Sequence, residues 1–142
     1  MSEENINKTE EVKNKYISID DFAKVEIMLG TVMSAEEVEG SDKLYRLKVD
    51  FGEVEKATEA ETFINGVDIS IEKPKYRNVF SGIKKYVSVD EIVGKQFPFV
   101  TNLEPRKMMG DYSEAMILAG SEGETLALMS PTKVLPNGTK LR

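Results

Sequence analysis

Apolar and polar residues alternate along several short segments of this chain, which is typical of half-buried β-strands. In residues 44–52 (LYRLKVDFG), the apolar side chains of Tyr45, Leu47, Val49 and Phe51 share one face. The intervening positions are charged. The segment therefore predicts a strand with one buried face and one wet, partly basic face.

An earlier strand is predicted for residues 25–35 (VEIMLGTVMSA), which are rich in β-branched and large apolar side chains. Period two places Leu29 and Met33 on the same face. Gly30 interrupts this segment. A glycine inside a strand often marks a bulge or a sharp bend, as the wall of a small barrel requires.

Residues 62–72 (TFINGVDISIE) predict a hairpin, because Asn65-Gly66 is a preferred type I′ turn between two apolar runs. A further strand is predicted at 75–83 (KYRNVFSGI).

The last third of the chain predicts three more strands. In residues 95–103 (KQFPFVTNL), Pro98 favours an edge strand or a bulge, since proline lacks an amide donor. Residues 113–120 and 125–130 predict a meander across the SEGE turn.

Two short helical segments are predicted between the strands. Ser18 and Asp21 in SIDDFAKV resemble a capping box that opens one helical turn. Ser88 and Glu91 form a second capping box for a short helix at 88–94, which a glycine ends.

The order of these elements predicts an all-β fold. A short helix between the third and fourth core strands of a five-stranded Greek-key barrel describes an OB-fold. Such barrels bind oligonucleotides on the face of strands 2 and 3, and through the loops joining strands 1–2 and 4–5. In this chain the two loops are EEVEGSDK, which ends at Lys43, and EPRKMMGDY.

The composition restricts the chemistry that the chain can perform. Its 142 residues suffice for one domain, expected at 17–142 after a flexible tail at 1–16. It has no cysteine and no histidine, which excludes disulfides, thiolate metal sites and the commonest general base. We therefore expect a non-enzymatic protein without a metal or a cofactor.

The hydropathy pattern predicts a cytoplasmic protein without membrane contact. No apolar run approaches the ~20 residues of a membrane span. The N-terminus lacks the apolar segment of a signal peptide.

Charge is distributed unevenly along the chain. The net charge is −6, whereas non-specific nucleic-acid binders are usually basic. Residues 17–60 contain 5 basic and 11 acidic side chains, and residues 73–107 contain 8 basic and 3 acidic ones. A charge run is most often a solvated face. A surface that contacts phosphate is the alternative.

Residues 102–118 (NLEPRKMMGDYSEAMIL) concentrate the candidate chemistry. Arg106 and Lys107 follow a proline, so they either solubilise a turn or contact phosphate, which arginine meets with a planar fork and lysine with a point charge. Asn102 can bond to a base edge, to a 2′-hydroxyl or to its own turn.

Sulfur-containing and aromatic residues allow two interpretations as well. Met108, Met109 and Met116 are either core fillers or thioethers that stack on an unpaired base. Tyr112 is either a stacking residue or anchored by its hydroxyl. Four aromatic residues lie on predicted apolar faces and are expected in the core: Tyr45, Phe51, Phe63 and Phe80.

Five segments together resemble the tRNA-binding domain family: DFAKVEIMLGTV, EGSDKLYRLKVDFG, RNVFSGI, VGKQFPFVTNLEPRKMMGDYSEAMIL and LMSPTKVLPNGTKL. They stand in the family's order and cover roughly residues 17–142. RNVFSGI and NLEPRKM are most similar to the C-terminal domain or β-subunit of methionyl-tRNA synthetases.

The resemblance implies an OB barrel with a C-terminal dimerisation extension, and a non-catalytic domain that binds tRNA largely by shape and phosphate contacts. It implies three partners: tRNA, the catalytic chain or domain of methionyl-tRNA synthetase, and a second copy in a homodimer. The RNA-contacting residues carried over by motif are Lys43, Asn102, Arg106, Lys107, Met108, Ser113 and Met116, with Arg77, Ser81 and Lys84 beside them.

The chain departs from the family pattern in an insertion at about 54–76, which contains the Asn-Gly hairpin. The insertion either lengthens strands 2 and 3 or adds a flap. A second function stays open, because some relatives resemble export-related chaperones that bind unfolded peptides on the same dimeric scaffold. An apolar groove would favour peptides, and the basic loop favours RNA.

Overall fold

The computed structural model describes residues 15–58, 63–68 and 71–142. Residues 1–14, which form most of the predicted tail, lie outside the described residues.

A curled antiparallel sheet of five strands forms the centre of the described part. Its strands are β1 (Ile27–Glu37), β2 (Tyr45–Lys56), β5 (Glu72–Ser81), β6 (Gln96–Val100) and β9 (Met116–Ile117), in the spatial order β5-β2-β1-β6-β9. Three two-stranded hairpins accompany the sheet: β3 (Phe63–Ile64) with β4 (Val67–Asp68), β7 (Arg106–Met108) with β8 (Asp111–Ser113), and β10 (Ala119–Glu122) with β11 (Thr125–Leu128).

The two ends of the sheet meet through residues that precede β9. Glu114 N donates to Asn78 O at 2.8 Å, and Phe80 N donates to Ser113 Oγ at 3.0 Å. These contacts join the start of the last core strand to β5. The fold is therefore the all-β, OB-like fold that the sequence predicts.

The alternation in β2 is confirmed. Tyr45, Leu47, Val49 and Phe51 are all at most 5% exposed and pack in one core with residues of β5, β6 and β9. Phe63 was expected in the same core, and this prediction is wrong. It lies on the β3–β4 hairpin with 48% of its surface exposed.

A bulge in β1 changes which residues face the core. The pairing of β1 with β2 shifts register between Val32 and Ser34. Val32, just before the shift, is fully buried opposite Val49, and Met33, at the shift, is 43% exposed. Leu29 is buried, so Leu29 and Met33 do not share one environment as the predicted alternation requires, because the extra residue interrupts the period-two pattern at Met33.

Gly30 marks the bend of the barrel wall. A Cβ at this position would lie 2.6 Å from both Val49 Cγ1 and Phe51 Cε1. The side chains of β2 thus lie directly over the backbone of β1. A residue without a side chain allows this close approach.

The predicted Asn65-Gly66 hairpin is confirmed as β3–β4, and both turn residues have positive φ angles, 52° and 78°. The strands that carry this hairpin are continuations of β2 and β5, which stay paired as far as Lys56 with Glu72. The insertion therefore lengthens strands 2 and 3 of the barrel.

Pro98 does not mark an edge or a bulge, because β6 lies between β1 and β9. Its neighbour on β1 is Leu29, whose backbone turns away from β6. Leu29 N donates to Thr139 O at 2.9 Å, and Gly138 N donates to Leu29 O at 2.8 Å. The ladder between β1 and β6 thus needs no amide donor from Pro98.

Helix α1 (Ile19–Ala23) begins as predicted, with Ser18 Oγ accepting a hydrogen bond from Asp21 N at 3.0 Å. Acidic side chains in its first turn also suit the positive end of a helix. None of its residues is buried, and Ile19 is 77% exposed. Within the described part of the chain, α1 therefore leaves Ile19 largely uncovered.

Helix α2 (Val89–Ile92) lies where a short helix is predicted, but the predicted capping box is absent. The Ser88 side chain makes no cap hydrogen bond. Glu91 N donates instead to the backbone oxygen of Ser88 at 3.1 Å. The backbone alone closes this single turn, so the side chains are not needed as caps.

The C-terminal region folds back on the barrel. The predicted meander is present as the β10–β11 hairpin. Beyond it, the last residues extend alongside β1, where Leu141 N donates to Ile27 O at 2.8 Å. The C-terminal segment also passes close to β2 at Gly52. A glycine is required there, because its φ is +77° and a Cβ would lie 2.5 Å from Asn137 O.

Candidate nucleic-acid interface

The loop predicted at EPRKMMGDY is a small β-hairpin, here called the ribbon, formed by β7 and β8. Its turn is Met109-Gly110, with φ angles of 50° and 84°. Two successive positive φ values are typical of the type I′ turn that closes two-residue hairpins. The ribbon lies beside β5, where Asn78 Nδ2 donates to Tyr112 O at 2.8 Å.

The ribbon separates the two adjacent basic residues. Arg106 pairs with Ser113 across the ribbon, and Lys107 pairs with Tyr112. Successive residues of a strand point to opposite faces. Arg106 therefore shares a face with Ser113, while Lys107 and Tyr112 occupy the other face.

A groove of about 250 Å³, here called the ribbon groove, lies between the ribbon and the barrel. It is bordered by the start of β2, the end of β5, the segment after β6, the ribbon and β9. Its lining residues are Leu44, Phe80, Gly82, Leu103, Glu104, Arg106, Met108, Ser113, Ala115 and Met116. Most of this surface is apolar.

Arg106 is the basic residue of the groove wall. Its side chain is exposed, and the guanidinium has no carboxylate within 4.0 Å and no hydrogen bond among the described residues. Glu104 also lines the groove and has no ion pair within residues 15–58, 63–68 and 71–142. The groove thus presents one free cation and one free anion on apolar walls.

Phe80 forms part of the groove lining and is held by Arg46. Phe80 is 6% exposed, and the guanidinium carbon of Arg46 lies 5.1 Å from its ring centroid. Arg46 Nε is buried without a hydrogen-bond partner within the described part of the chain. A cation over an aromatic face is attracted by the ring quadrupole.

Lys43 precedes the groove-lining residue Leu44, and Lys84 follows the groove-lining residue Gly82 by two positions. Lys84 N donates to Lys43 O at 3.1 Å, which joins the strand 1–2 loop to the segment after β5. The amine of Lys84 lies 3.7 Å from a carboxylate oxygen of Glu37. Lys43 is exposed and has no ion pair among the residues described.

Ser81 lies inside the barrel rather than on its rim. It is 9% exposed and pairs with Tyr45 in the β2–β5 ladder. Its neighbour Gly82 lines the ribbon groove.

Asn102 joins the end of β6 to the segment before β1. Its Oδ1 accepts from Glu26 N at 2.8 Å, and its Nδ2 donates to Lys24 O at 2.7 Å. Both functional groups of the amide are therefore engaged within the protein.

The guanidinium of Arg77 is hydrogen-bonded to a carboxylate and to a backbone carbonyl. Its Nε and Nη2 donate to the two carboxylate oxygens of Glu53 at 2.7 and 2.9 Å, and its Nη1 donates to Thr101 O at 2.7 Å. This hydrogen bonding lowers the pKa of Glu53 and raises that of Arg77. The guanidinium also lies 5.3 Å from the Phe51 ring centroid.

The structure brings only part of the predicted site together. Four predicted residues line the ribbon groove: Arg106, Met108, Ser113 and Met116. Lys43 adjoins it through Leu44, and Lys107 lies on the opposite face of the ribbon. Ser113 Oγ is also used to close the barrel.

Sequence reasoning missed Arg46 and Phe80 as parts of this surface. The signal was present in the alternation of β2, which places Arg46 on the wet face. What the sequence did not indicate is that Phe80 is directly opposite Arg46 on β5.

Two negative findings apply to the described residues. No group of three or more acidic residues there is arranged to hold a metal ion. None of the helices described is long and apolar enough to cross a membrane.

Comparisons with known proteins agree with the fold. The family model described as "Putative tRNA binding domain" matches residues 53–140. The chain is 36% identical over 140 residues to the methionine–tRNA ligase of Caldanaerobacter subterraneus, covering 99% of this chain and 19% of that protein. It is 42% identical over 135 residues to methionine–tRNA ligase 1 of Bacillus cereus, covering 95% of this chain and 17% of that protein.

Solved structures match over most of the chain. A MetRS-related protein from Pyrococcus horikoshii superposes with a TM-score of 0.69 at 28% identity, covering 89% of this chain and 98% of that one. The chaperone CsaA from Bacillus anthracis superposes with a TM-score of 0.66 at 26% identity, covering 89% and 99%.

The chain thus spans less than a fifth of the length of these two ligases. The related part of the ligases is their C-terminal region. The chain belongs to the tRNA-binding domain family, as a non-catalytic domain related to the C-terminal region of methionyl-tRNA ligases.

Proposed function

We propose that this domain binds tRNA through the ribbon groove and its rim, and thereby raises the affinity of a methionyl-tRNA synthetase for tRNA. The observation that carries the proposal is the free guanidinium of Arg106 at the groove wall. A planar guanidinium offers parallel donors to phosphate oxygens. Lys43 and Lys107 extend the cationic surface to either side of the groove and the ribbon.

The local charges decide this interaction, because the whole chain carries −6. Each phosphate that a cation neutralises releases counterions, so the affinity falls as the salt concentration rises. With about three free cations in the proposed contact, the logarithmic salt slope is about −2 to −3. An isolated domain of this kind binds tRNA weakly.

A weak domain is useful when it is linked to a second tRNA-binding site. Linking converts the second binding event into an intramolecular one, and the overall affinity increases without new contacts. We therefore propose a synthetase catalytic chain or domain as partner. Since the related ligases aminoacylate tRNA for protein synthesis, we propose that the domain acts in the cytoplasm.

The test is to substitute Arg106→Ala and to titrate tRNA at several salt concentrations. We expect weaker binding and a salt slope smaller by about one unit, as for the loss of one phosphate contact. Lys133→Ala is the matched control, because Lys133 is an exposed basic residue of the C-terminal segment, outside the groove lining. An Arg106→Ala slope equal to that of the wild type contradicts the proposal.

A second function, binding of unfolded peptides, is supported by the apolar lining of the same groove and by the likeness to the chaperone CsaA. The salt dependence separates the two functions. Contact with phosphate weakens as salt rises, whereas burial of apolar peptide side chains does not.

We also propose that two copies associate through α1 and the C-terminal segment. In one copy these regions expose Ile19 to 77% and Val134 to 84%. Burial of such side chains in a symmetric dimer would remove apolar surface from water.

A further inference from the structure

We propose that the ribbon groove holds a single unstacked RNA base, so that the domain favours an unpaired nucleotide beside a helical stem. This inference rests on the proposed function, because it names the part of the RNA that the same groove binds. The phosphate of that nucleotide contacts Arg106.

The size of the groove supports one base. Its volume of about 250 Å³ is below the ~300–1,000 Å³ of sites that hold drug-sized ligands. A paired base is stacked within its helix and presents no free face. Only an unpaired nucleotide can turn its base into a pocket of this size.

The walls of the groove supply apolar contact. Leu103 and Met116 line it and are 52% and 48% exposed. Half-exposed side chains of this size, clustered around one concave site, are typical of a binding surface. Met108 and Phe80 lie at its more buried side. A base is flat and apolar on both faces, so it covers these side chains well.

The two charged residues of the groove suit opposite ends of one nucleotide. The carboxylate of Glu104 repels a phosphate, but it accepts hydrogen bonds from the amino groups of a base edge. The guanidinium of Arg106 prefers the phosphate. A nucleotide with its base in the groove and its phosphate outward satisfies both side chains.

Arg46 acts on this site through Phe80. Its guanidinium lies over the Phe80 ring, and both residues stand opposite each other on β2 and β5. Arg46 is thus a positioning residue for the Phe80 ring, which lines the groove.

The experiment compares two RNA hairpins with identical stems, one blunt and one with a single unpaired 3′ nucleotide. We expect the wild-type domain to bind the second hairpin about tenfold more tightly, the contribution of one stacked base. Gly82→Leu fills the groove and abolishes this preference. A Cβ at Gly82 meets nothing within 4 Å, and its φ is not in the positive region, so the substitution leaves the backbone unstrained.

Gly120→Leu is the matched control, since Gly120 lies on β10 and its Cβ would make only an ordinary contact, 3.8 Å from Met129 Cε. We expect this variant to retain the preference. A second measurement does not depend on any variant. With 2-aminopurine as the unpaired nucleotide, binding to the wild-type domain should raise its fluorescence as the base leaves the stem stack.

Four outcomes overturn the inference. If the domain binds both hairpins with equal, salt-dependent affinity, the base pocket is contradicted and the proposed tRNA-binding function is not. If neither hairpin shows salt-dependent binding, both the base pocket and the proposed function are contradicted. If Gly82→Leu weakens binding of an unfolded apolar peptide while the RNA preference persists, the groove is a peptide site. Unchanged 2-aminopurine fluorescence also contradicts the inference.

Discussion

Arg106 and Lys107 are neighbours in sequence, yet they point to opposite faces of the ribbon. The sequence predicts that this segment is basic and that it lies between two strands. It does not predict that the segment is itself a hairpin. The turn is formed by Met109-Gly110, and methionine at a positive φ is unfavourable, unlike the asparagine of a typical type I′ turn.

Arg77 illustrates a different limit of the sequence. Its motif places it beside the residues that are expected to contact RNA, but the folded chain pairs it with Glu53, 24 positions earlier. That contact depends on the register of β2 with β5, which no local pattern encodes. Asn102 is similar, because its amide bonds to residues 76 and 78 positions away.

Glu53→Gln should destabilise the domain and change its response to acid. Hydrogen bonding to Arg77 lowers the pKa of Glu53 in the folded protein. The stability from this shift is complete above the unfolded pKa, about 4.3, and is lost as pH falls through the lower folded pKa. We expect a loss of about 1–3 kcal/mol at pH 7 and a smaller difference from wild type near pH 3.

The measurement is urea denaturation of both proteins between pH 3 and pH 7. Glu55→Gln is the control, because Glu55 lies on the same strand, is exposed, and has no ion pair among the described residues. A Glu53→Gln difference that stays constant across this range would contradict the assignment.

At the scale of elements, the strands with strong alternation were predictable and the irregularities within them were not. β2 was predicted with the correct face inward, since its alternation is unbroken. In β1 the bulge near Met33 arises from its pairing with β2, and Pro98 is tolerated in β6 because Leu29 bonds elsewhere. Both depend on a neighbouring strand, so the segment itself carries no signal for them.

The β3–β4 hairpin should be dispensable for the barrel. Replacing residues 58–70 by Asn-Gly joins Ala57 to Ile71, whose backbones already share a 2.9 Å hydrogen bond. We expect the stability to change by no more than about 1 kcal/mol, because the apolar side chains at 63, 64 and 67 are about half exposed. Thermal denaturation of the wild type and of the shortened variant measures this difference in stability.

The same variant tests whether the insertion takes part in binding. None of the hairpin residues that the structure describes, 63–68, lines the ribbon groove, so tRNA affinity and its salt slope should match the wild type. A lower affinity in a variant that remains folded would place RNA contacts on the hairpin.

At the scale of the whole molecule, an acidic protein carries a small cationic surface beside the ribbon groove. The uneven charge distribution was visible in the sequence, since the basic residues concentrate after position 73. Folding then pairs two of these cations, Arg77 and Lys84, with carboxylates. The number of free cations is a property of the fold and not of the composition.

Light scattering at micromolar concentration should give a mass of about twice the 15.9 kDa of one chain. Ile19→Glu combined with Val134→Glu places charges on the proposed contact and should give a monomer with intact strands by circular dichroism. Val54→Glu is the control, because Val54 is 57% exposed on the extended end of β2. A monomer mass for the wild-type chain would remove the dimer.

The extended segment at 138–141 has a consequence for how the protein is made. Strand β1 leaves the ribosome before residues 138–141 do, but the amide of Leu29 and the carbonyl of Ile27 find their partners at Thr139 and Leu141. Nascent chains gain structure from the N-terminus as synthesis proceeds. Here the wall of the barrel stays incomplete until residue 141 has been translated, so a ribosome that stalls shortly before it would leave an open strand edge available to other chains.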